Sequence, residues 1–304
     1  MKETIQVKNL SYCYGNFQAL SNVTFSVVEG ERFGIIGENG AGKTTTVECI
    51  AGIRKKYNGS IHVLGEEISS CRREFYNKLS IQPQLASFPE KLKVKEILLL
   101  FSSFYSSPLP YDELLQVFNI ASKKNCYYGS LSGGQKQQLS IIVAMLSNAE
   151  VLLLDELTTG LDPQTRLKTI NVVKKYTEGK TVVMTTHYLN EIEQLCDRVC
   201  ILKNGCVVGC GYLEDLYRIN GIEHKIIVTT RNRDAAKVLQ SFLPECFLFS
   251  SGIQINLFSN SRTIRNHVEK LLHDNNISYT EIEENHPSAD DLYYKLFDVH
   301  CDSI

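Results

Sequence analysis

A glycine-rich run between a short apolar strand and a helix places the tightest constraint on the fold. The run spans residues 37–44 and reads GENGAGKT. Residues 32–36 before it are typical of a strand, and residues 44–50 after it are predicted to form a helix. Glycines allow backbone N–H groups to point inward around an anion, and the N-terminus of a helix adds a partial positive charge. This order therefore predicts a phosphate-binding loop in an α/β fold.

The side chains of this loop predict how a nucleotide is held. Lys43 is expected to bridge the β- and γ-phosphates, and the hydroxyl group of Thr44 is expected to ligate Mg²⁺. The predicted nucleotide-binding residues of the loop are Gly37, Asn39, Gly40, Gly42, Lys43, Thr44 and Thr45. The alternative is a glycine-rich turn with an incidental lysine. The strand before the loop and the helix after it favour the phosphate site.

Polar side chains also follow two later apolar strands. Residues 151–154 run into Asp155 and Glu156, and residues 181–185 run towards His187. The carboxyl ends of parallel strands meet at one sheet edge, where ligands bind. We predict that Asp155 holds Mg²⁺ through water, that Glu156 polarises the attacking water as a general base, and that His187 contacts the γ-phosphate. A helix cap is the alternative for the two acids, and a structural role is the alternative for the histidine.

Residues 131–138, which read LSGGQKQQ, form a second anion-binding pattern. A serine cap and two glycines open a helix there and expose backbone N–H groups. A chain with one phosphate loop has no second nucleotide of its own for this helix. A head-to-tail dimer, in which the helix of each copy caps the γ-phosphate bound by the other, would use both patterns.

The composition is that of an ordinary globular chain. The 304 residues are enough for one large and one small domain, and hydrophobic residues make up 43% of them. A formal net charge of -2 argues against a nucleic-acid coat. No apolar run approaches the roughly 20 residues that cross a bilayer, and the N-terminus lacks a signal-peptide pattern. We expect a cytosolic chain without a membrane span of its own.

Strand and helix patterns alternate until about residue 211 and then change. Strands at 5–8 and 23–28 come first, and a helical segment runs from about 85 to 147. Strands at 151–154 and 181–185 are separated by a helix at 165–176, and this alternation of strands and helices predicts a mainly parallel sheet covered by helices. We place a cassette-like domain at 1–215 and a smaller domain at 221–304. The smaller domain has the order βαββαβ of a ferredoxin-like α+β unit. Its predicted strands are 225–229, 247–250, 253–258 and 277–282, its first two helices are 234–242 and 261–273, and a final helix follows at 289–297.

Four of the ten cysteines lie close together: Cys196, Cys200, Cys206 and Cys210. A zinc site is one interpretation. The other places Cys196 at the end of a helix, with Cys200 and Cys206 on the two arms of a hairpin that turns at residues 204–205. The spacing differs from the C-x2-C pairs of common structural zinc sites, so we favour the hairpin with free thiols.

Together these motifs resemble the nucleotide-binding subunit of an ATP-binding-cassette (ABC) transporter, and the resemblance covers about residues 1–211. It implies a P-loop NTPase cassette with a mixed sheet core, a helical subdomain at about 85–147 and an N-terminal antiparallel sheet. Tyr14 resembles the aromatic residue that stacks on adenine. Gln84 resembles the Q-loop glutamine that senses Mg²⁺ and water and relays to a membrane partner. The signature is Ser132, Gly133, Gly134 and Gln135, residues 161–162 are similar to the D-loop, and His187 matches the switch histidine.

Two positions depart from the family pattern. One C-terminal segment indicates a particular class of ABC transporter. Leu157 stands where proline is usual, and Gln138 stands where arginine is common. We expect both departures to be mild, with a weakened contact in the helical subdomain at Gln138. Residues 287–293, which read PSADDLY, are similar to the LEDxF ending of exporter cassettes that serve multidrug, bacteriocin and antibiotic-resistance systems. An ordinary amphipathic helix is the alternative for this segment.

The resemblance implies an Mg²⁺-dependent ATP hydrolase that drives an exporter from the cytoplasmic face of the membrane. The implied partners are multi-span permease subunits, docked near the Q-loop and residues 85–130, and a second cassette that is a copy or a paralogue. A soluble cassette protein that acts on ribosomes, DNA or assembly complexes is the alternative. The coiled-coil insertion, second cassette or basic segments of that class are not found in the sequence. A third alternative is a sensor in which the smaller domain binds a ligand or dimerises and throttles the ATPase, and this role could coexist with transport. No nucleic-acid partner is expected.

Overall fold

The computed structural model describes residues 2–71 and 73–297, and the chain divides into two compact units between Cys210 and Gly211. The strands are β1 Glu3–Tyr14, β2 Phe17–Val28, β3 Arg32–Gly37, β4 Asn58–Val63, β5 Glu66–Glu67, β6 Leu79–Gln82, β7 Val151–Asp155, β8 Thr181–Thr186, β9 Arg198–Lys203, β10 Cys206–Gly211, β11 His224–Thr229, β12 Phe247–Ser251, β13 Gln254–Ser259 and β14 Glu281–Asn285. The helices are α1 Lys43–Ile50, α2 Val94–Ser102, α3 Tyr111–Val117, α4 Gly133–Leu146, α5 Pro163–Tyr176, α6 Leu189–Leu195, α7 Leu213–Ile219, α8 Ala235–Phe242, α9 Ile264–Asp274 and α10 Ala289–Phe297.

A six-stranded sheet in the order β10-β9-β3-β8-β7-β6 forms the centre of the N-terminal unit. The neighbours from β9 to β6 pair in parallel, as the alternating strand and helix patterns predicted. Every residue of β7 and β8 is buried, which is typical of parallel strands covered on both faces. The phosphate loop follows β3, the two carboxylates end or follow β7, and His187 follows β8. These three adjacent strands therefore bring the predicted residues to one sheet edge.

A second, antiparallel sheet in the order β2-β1-β4-β5 packs against the first. Strands β1 and β2 are both longer than the sequence pattern suggested, and Tyr14 pairs with Phe17 at the tip of their hairpin. Apolar side chains from both sheets and from α1 form one buried core, in which the rings of Phe25 and Phe33 stack at 5.2 Å. This core fixes the hairpin tip beside the phosphate loop.

Helices α2, α3 and α4 make up the helical subdomain, and their apolar faces share a second core with β7, β8 and α5. Gln138 of α4 is buried, and its Nε2 donates a hydrogen bond of 3.0 Å to the carbonyl oxygen of Phe118 at the end of α3. The glutamine therefore makes a buried contact between α4 and α3. A contact weaker than that of arginine at this position stays a prediction.

The C-terminal unit has the predicted βαββαβ order, followed by α10. Its four strands pair antiparallel in the order β12-β13-β11-β14, which is the ferredoxin-like arrangement. The predicted last strand, 277–282, was wrong in its bounds, because β14 spans Glu281–Asn285. Ile277 packs in the core below α9 instead, and β14 is an edge strand rich in glutamate. Helix α7 fills most of the range 211–221, which contains the predicted boundary between the two domains.

The clustered cysteines lie where the hairpin interpretation placed them. Cys196 follows α6, Cys200 is buried on β9, and Cys206 begins β10. The turn residues Asn204 and Gly205 both have positive φ, 49° and 75°, as a two-residue hairpin turn requires. Within residues 2–71 and 73–297, no helix is long and apolar enough to cross a membrane.

Candidate nucleotide-binding site

Steric crowding explains two of the glycines in the phosphate loop. A Cβ atom on Gly37 would lie 2.3 Å from the carbonyl oxygen of Leu202 on β9. A Cβ atom on Gly42 would lie 2.5 Å from the side chain of Leu20, and Gly42 has φ +100°, which L-residues rarely adopt. The loop can therefore pass this close to β2 and β9 only with glycine at both positions. It then delivers Lys43 to the first position of α1.

Lys43 lies at the centre of the loop and is buried. Its Nζ donates hydrogen bonds to the carbonyl oxygens of Gly37, at 2.8 Å, and Glu38, at 2.9 Å. Burial lowers the pKa of Lys43, while the nearby carboxylates of Glu156, Asp155 and Glu38 act in the opposite direction. The ammonium group is thus held within the loop, close to two acidic side chains.

Asp155 ends β7 and is almost completely buried. It accepts hydrogen bonds from the hydroxyl groups of Thr185 and Thr44. Burial raises the pKa of Asp155, and these two hydrogen bonds oppose the rise. Mg²⁺ prefers oxygen ligands, including carboxylates. A threonine hydroxyl and a carboxylate in contact at the mouth of a phosphate loop fit such an ion.

Glu156 follows Asp155 with a left-handed backbone, φ +51°. This conformation costs a non-glycine residue about 1–2 kcal/mol. The N–H group of Glu156 donates to the carbonyl oxygen of Thr185, at 3.1 Å, and to its hydroxyl oxygen, at 3.0 Å. Its Oε2 accepts a hydrogen bond of 3.1 Å from Thr159, and its Oε1 lies 3.9 Å from Nδ1 of His187. Strand β8 and the following loop therefore fix both the backbone and the carboxylate.

A buried ionic network supports the segment that carries His187. Glu191 on α6 accepts hydrogen bonds from the hydroxyl groups of Thr158 and Thr186, the second at 2.7 Å. Nε of Arg166 lies 3.8 Å from the same carboxylate, and the Arg166 guanidinium lies 3.7 Å from the ring centroid of Tyr188. The Tyr188 ring in turn contacts His187, with 4.1 Å between the centroids. Sequence reasoning missed this network, although Glu191 lies only four residues beyond the histidine.

A cleft of about 500 Å³ gathers most of the predicted residues. It is lined by Tyr14, Phe17, Ala19, Asn39, Gly40, Gly42, Lys43, Thr44, Thr45, Gln84, Glu156, Thr159 and His187. Gly37 contributes through its carbonyl contact with Lys43, and Asp155 through its contact with Thr44. Phe17, Ala19 and Thr159 were not predicted. The sequence signal for Phe17 was its place opposite Tyr14 in a tight hairpin.

Tyr14 lines the cleft where the tip of the β1–β2 hairpin meets Thr45 of α1. Its hydroxyl group is 3.2 Å from Oγ1 of Thr45, and the Arg54 guanidinium lies 5.1 Å from its ring centroid. Arg54 is itself held by Glu48 through a hydrogen bond of 2.8 Å. Phe17, which is 65% exposed, adds a second aromatic ring at this end. These two rings offer the flat apolar surface that an adenine base needs.

The signature residues lie apart from this cleft. Ser132 caps α4, its Oγ accepting from the N–H group of Gln135 at 3.3 Å. Ser132, Gly134 and Gln135 line another cavity, of about 280 Å³, together with Asp162, whereas Gly133 is exposed at the start of the helix. Asp162 caps α5 through hydrogen bonds to the N–H groups of Gln164 and Thr165. The phosphate loop and the signature of one chain therefore line different cavities.

Comparisons with known proteins identify the family. The ABC transporter family pattern matches residues 20–159. The Nod factor export ATP-binding protein I of Burkholderia orbicola (strain AU 1054) is 35% identical over 207 residues, which cover 66% of this chain and 68% of that protein. The methionine import ATP-binding protein MetN of Clostridioides difficile (strain 630) is 36% identical over 227 residues, which cover 71% of this chain and 71% of that protein.

A solved structure shares the fold. It is a dimeric ATP-binding cassette in a post-hydrolysis state bound to ADP and Pi, with a TM-score of 0.62 and 28% identity, covering 69% of this chain and 98% of that one. The ordered motifs, the sheet topology and these similarities lead to one conclusion. The chain belongs to the ABC transporter family, as an ATP-binding, ATP-hydrolysing transporter subunit.

Proposed function

We propose that the chain powers an exporter as one half of a cassette dimer. The observation that carries this proposal is the separation of the phosphate loop and the signature into different cavities of one chain. Two copies in head-to-tail arrangement would place the signature of each against the nucleotide of the other, so two ATP molecules would be clamped. Closure of the clamp would pull on membrane subunits, and hydrolysis would release it.

In this proposal each group of cleft residues has its own role in binding and hydrolysing ATP. The phosphate loop and Lys43 bind the β- and γ-phosphates, and Tyr14 stacks on adenine. Glu156 polarises the attacking water, and His187 beside it contacts the γ-phosphate. The residues that would hold Mg²⁺ are Thr44, Gln84 and Asp155, and the ion would neutralise charge on the phosphates. Phosphoryl transfer depends mostly on such positioning and charge stabilisation.

A groove on the N-terminal unit supports the proposed membrane partner. It has a volume of about 780 Å³, lies between β6 and the helices α2 and α4, and is lined by several aromatic side chains. Its lining includes Tyr76, Phe101, Phe104 and Tyr105. Gln84 of the proposed Q-loop lies two residues after the end of β6, so a short apolar helix of a permease in this groove would lie close to the ATP cleft along the chain. The subunit would then work at the cytoplasmic face of the membrane.

Export, rather than import, rests on the C-terminal segment 287–293. Within it Ser288 and Asp291 form a capping box at the start of α10, and Asp291 also pairs with Lys225 on β11 at 2.9 Å. The aspartate of the exporter ending thus has a structural role in this chain. The relatives that match include both an export and an import protein, so this segment is the feature that favours export.

Affinity purification from solubilised native membranes tests the proposed partner. The wild-type chain should co-purify with a multi-span membrane protein, and Phe104→Asp should lose it because the substitution puts a charge into the apolar groove. Phe242→Asp is the matched control, since both phenylalanines are 56% exposed and Phe242 lies on α8 of the other unit. Recovery of only ribosomal, nucleic-acid or soluble assembly components would refute the transporter assignment and favour the alternative class.

A further inference from the structure

Gln137 connects the signature helix to the backbone of Glu156. Its Nε2 donates one hydrogen bond of 3.2 Å to the carbonyl oxygen of Glu156 and another of 3.0 Å to the carbonyl oxygen of Leu157. The two carbonyl groups belong to consecutive residues that follow β7. Neither the phosphate-binding role nor the signature role assigned above uses this side chain.

Gln137 holds the backbone at Glu156 and Leu157, and the geometry of this backbone sets the direction of the Glu156 carboxylate. On its N–H side, Glu156 is bonded twice to Thr185 of β8. On its carbonyl side it is bonded to Gln137 of α4. The next side chain, Leu157, is buried in the same apolar core as Leu139 of α4. Glu156 is therefore fixed between a strand of the central sheet and the signature helix.

Helix α4 is stiff enough to carry a displacement from the signature to this contact. Gln137 lies five residues after the cap Ser132, which corresponds to about 7.5 Å along a helix. The Cβ position of Gly134 is 3.4 Å from the side chain of Leu161, so the start of the helix also touches the segment that follows Glu156. A shift of α4 when its N-terminus engages a phosphate would move the Glu156–Leu157 peptide with it.

We propose that Gln137 is a positioning residue that couples the two ATP sites of the dimer. Through its two hydrogen bonds, a signature that has engaged the partner's ATP brings the Glu156 of its own chain into its hydrolytic position. Each site then becomes competent when the other is filled. This inference rests on the proposed dimer. A misplacement of about 1 Å in a reacting group can lower a rate by roughly a hundredfold, so small movements of this peptide suffice.

The test compares Gln137→Met with Gln138→Met in the full-length chain. Methionine keeps the length of glutamine but has no N–H donor. Gln138 is a matched control because it is the next residue of the same helix, and its Nε2 also donates to a backbone carbonyl oxygen, that of Phe118. ATPase rates are measured as a function of ATP concentration, together with the Tm of each variant.

We expect Gln137→Met to lower kcat at least tenfold and to reduce the Hill coefficient to about 1, with KM changed less than threefold. Gln138→Met should keep kcat and the Hill coefficient within about twofold of wild type while lowering Tm as much as Gln137→Met does. In a double-mutant cycle, Ser132→Ala and Gln137→Met should reduce kcat by less than the product of their separate effects, because both act on one linkage.

Two results would overturn the coupling role. One is a Gln137→Met protein with the same kcat and Hill coefficient as Gln138→Met, and the other is an exact multiplication of the Ser132 and Gln137 effects. A failure of the dimer proposal itself would be detected separately, with the wild-type protein. A wild-type chain that stays monomeric with ATP and hydrolyses it with a Hill coefficient of 1 would refute the clamp before any variant is compared.

Discussion

Replacing Glu156 by glutamine should separate ATP binding from ATP hydrolysis. Glutamine has the shape of glutamate and keeps an oxygen that can accept the 3.1 Å hydrogen bond from Thr159. The contacts that fix the backbone of residue 156, from Thr185 and Gln137, do not involve its side chain. The fold and the cleft should therefore persist. What is lost is the ability to accept a proton from the attacking water.

The size of the effect follows from the role of a general base. Such a group contributes about 10²- to 10⁴-fold to a rate, which is roughly 2.7–5.4 kcal/mol in the activation barrier. We expect kcat to fall by at least a hundredfold. ATP should bind as well as before or more tightly, because one negative charge is removed near Lys43 and the phosphates. An ATP-bound dimer that cannot hydrolyse its nucleotide should then accumulate.

Phosphate release and size-exclusion chromatography with light scattering measure these two effects. With saturating ATP and Mg²⁺, the Glu156→Gln protein should change from a 34.4 kDa chain to a dimer of twice that mass. Glu178→Gln, at an exposed carboxylate after α5, is the control and should leave kcat unchanged. A kcat within tenfold of wild type would refute the general-base role. A Glu156→Gln protein that remains monomeric under saturating ATP would refute the clamp.

Substitutions at three further positions test the adenine contact and two buried ion pairs. Tyr14→Ala should weaken ATP binding by about 5- to 150-fold in an equilibrium titration, which is the equivalent of about 1–3 kcal/mol of stacking. Tyr14→Phe loses only the contact with Thr45 and should bind ATP within about threefold of wild type. Equal ATP affinities for the wild-type protein and both variants would exclude stacking. Asp291→Ala should lower the free energy of unfolding by about 3–5 kcal/mol in a urea titration, because Lys225, whose side chain is 16% exposed, loses its partner; a loss below about 1 kcal/mol would contradict this reasoning. Glu191→Ala should lower both Tm and kcat, because the hydroxyl groups of Thr158 and Thr186 and the guanidinium of Arg166 lose the carboxylate that they contact. A normal kcat with a reduced Tm would show that this network is structural only.

Local chemical requirements made much of the fold and of the candidate site predictable. The glycine loop has this sequence because backbone and side-chain atoms approach Gly37 and Gly42 too closely for a Cβ atom. The apolar runs before Asp155 and His187 are buried parallel strands, so their ends had to meet at one edge. Helix α10 occupies the predicted range because its Ser288 cap is a local signal. Each of these features is encoded within a few consecutive residues.

Contacts between distant segments were beyond sequence reasoning. Gln137 and Glu156 are nineteen residues apart, and Thr185 is twenty-nine residues beyond Glu156. No periodicity in the chain reports that these residues meet. The bounds of β14 were missed for a related reason, because an edge strand pairs on one side only and tolerates the charged residues that usually indicate a loop. Its place depends on pairing with β11 rather than on its own composition.

The left-handed backbone of Glu156 explains how two adjacent carboxylates can have different roles. In a regular strand, consecutive side chains point to opposite faces of the sheet, so the side chains of residues 155 and 156 would face away from each other if β7 continued through residue 156. Asp155 keeps the strand geometry and is directed to Thr44, whereas the turn at Glu156 directs its carboxylate towards Thr159 and His187. Glycine would adopt this turn without strain but has no carboxylate. Because glutamate disfavours this backbone conformation, the position of its carboxylate depends on the hydrogen bonds that hold the backbone. A change in the hydrogen bond from Gln137 to the carbonyl oxygen of Glu156 should therefore displace the carboxylate.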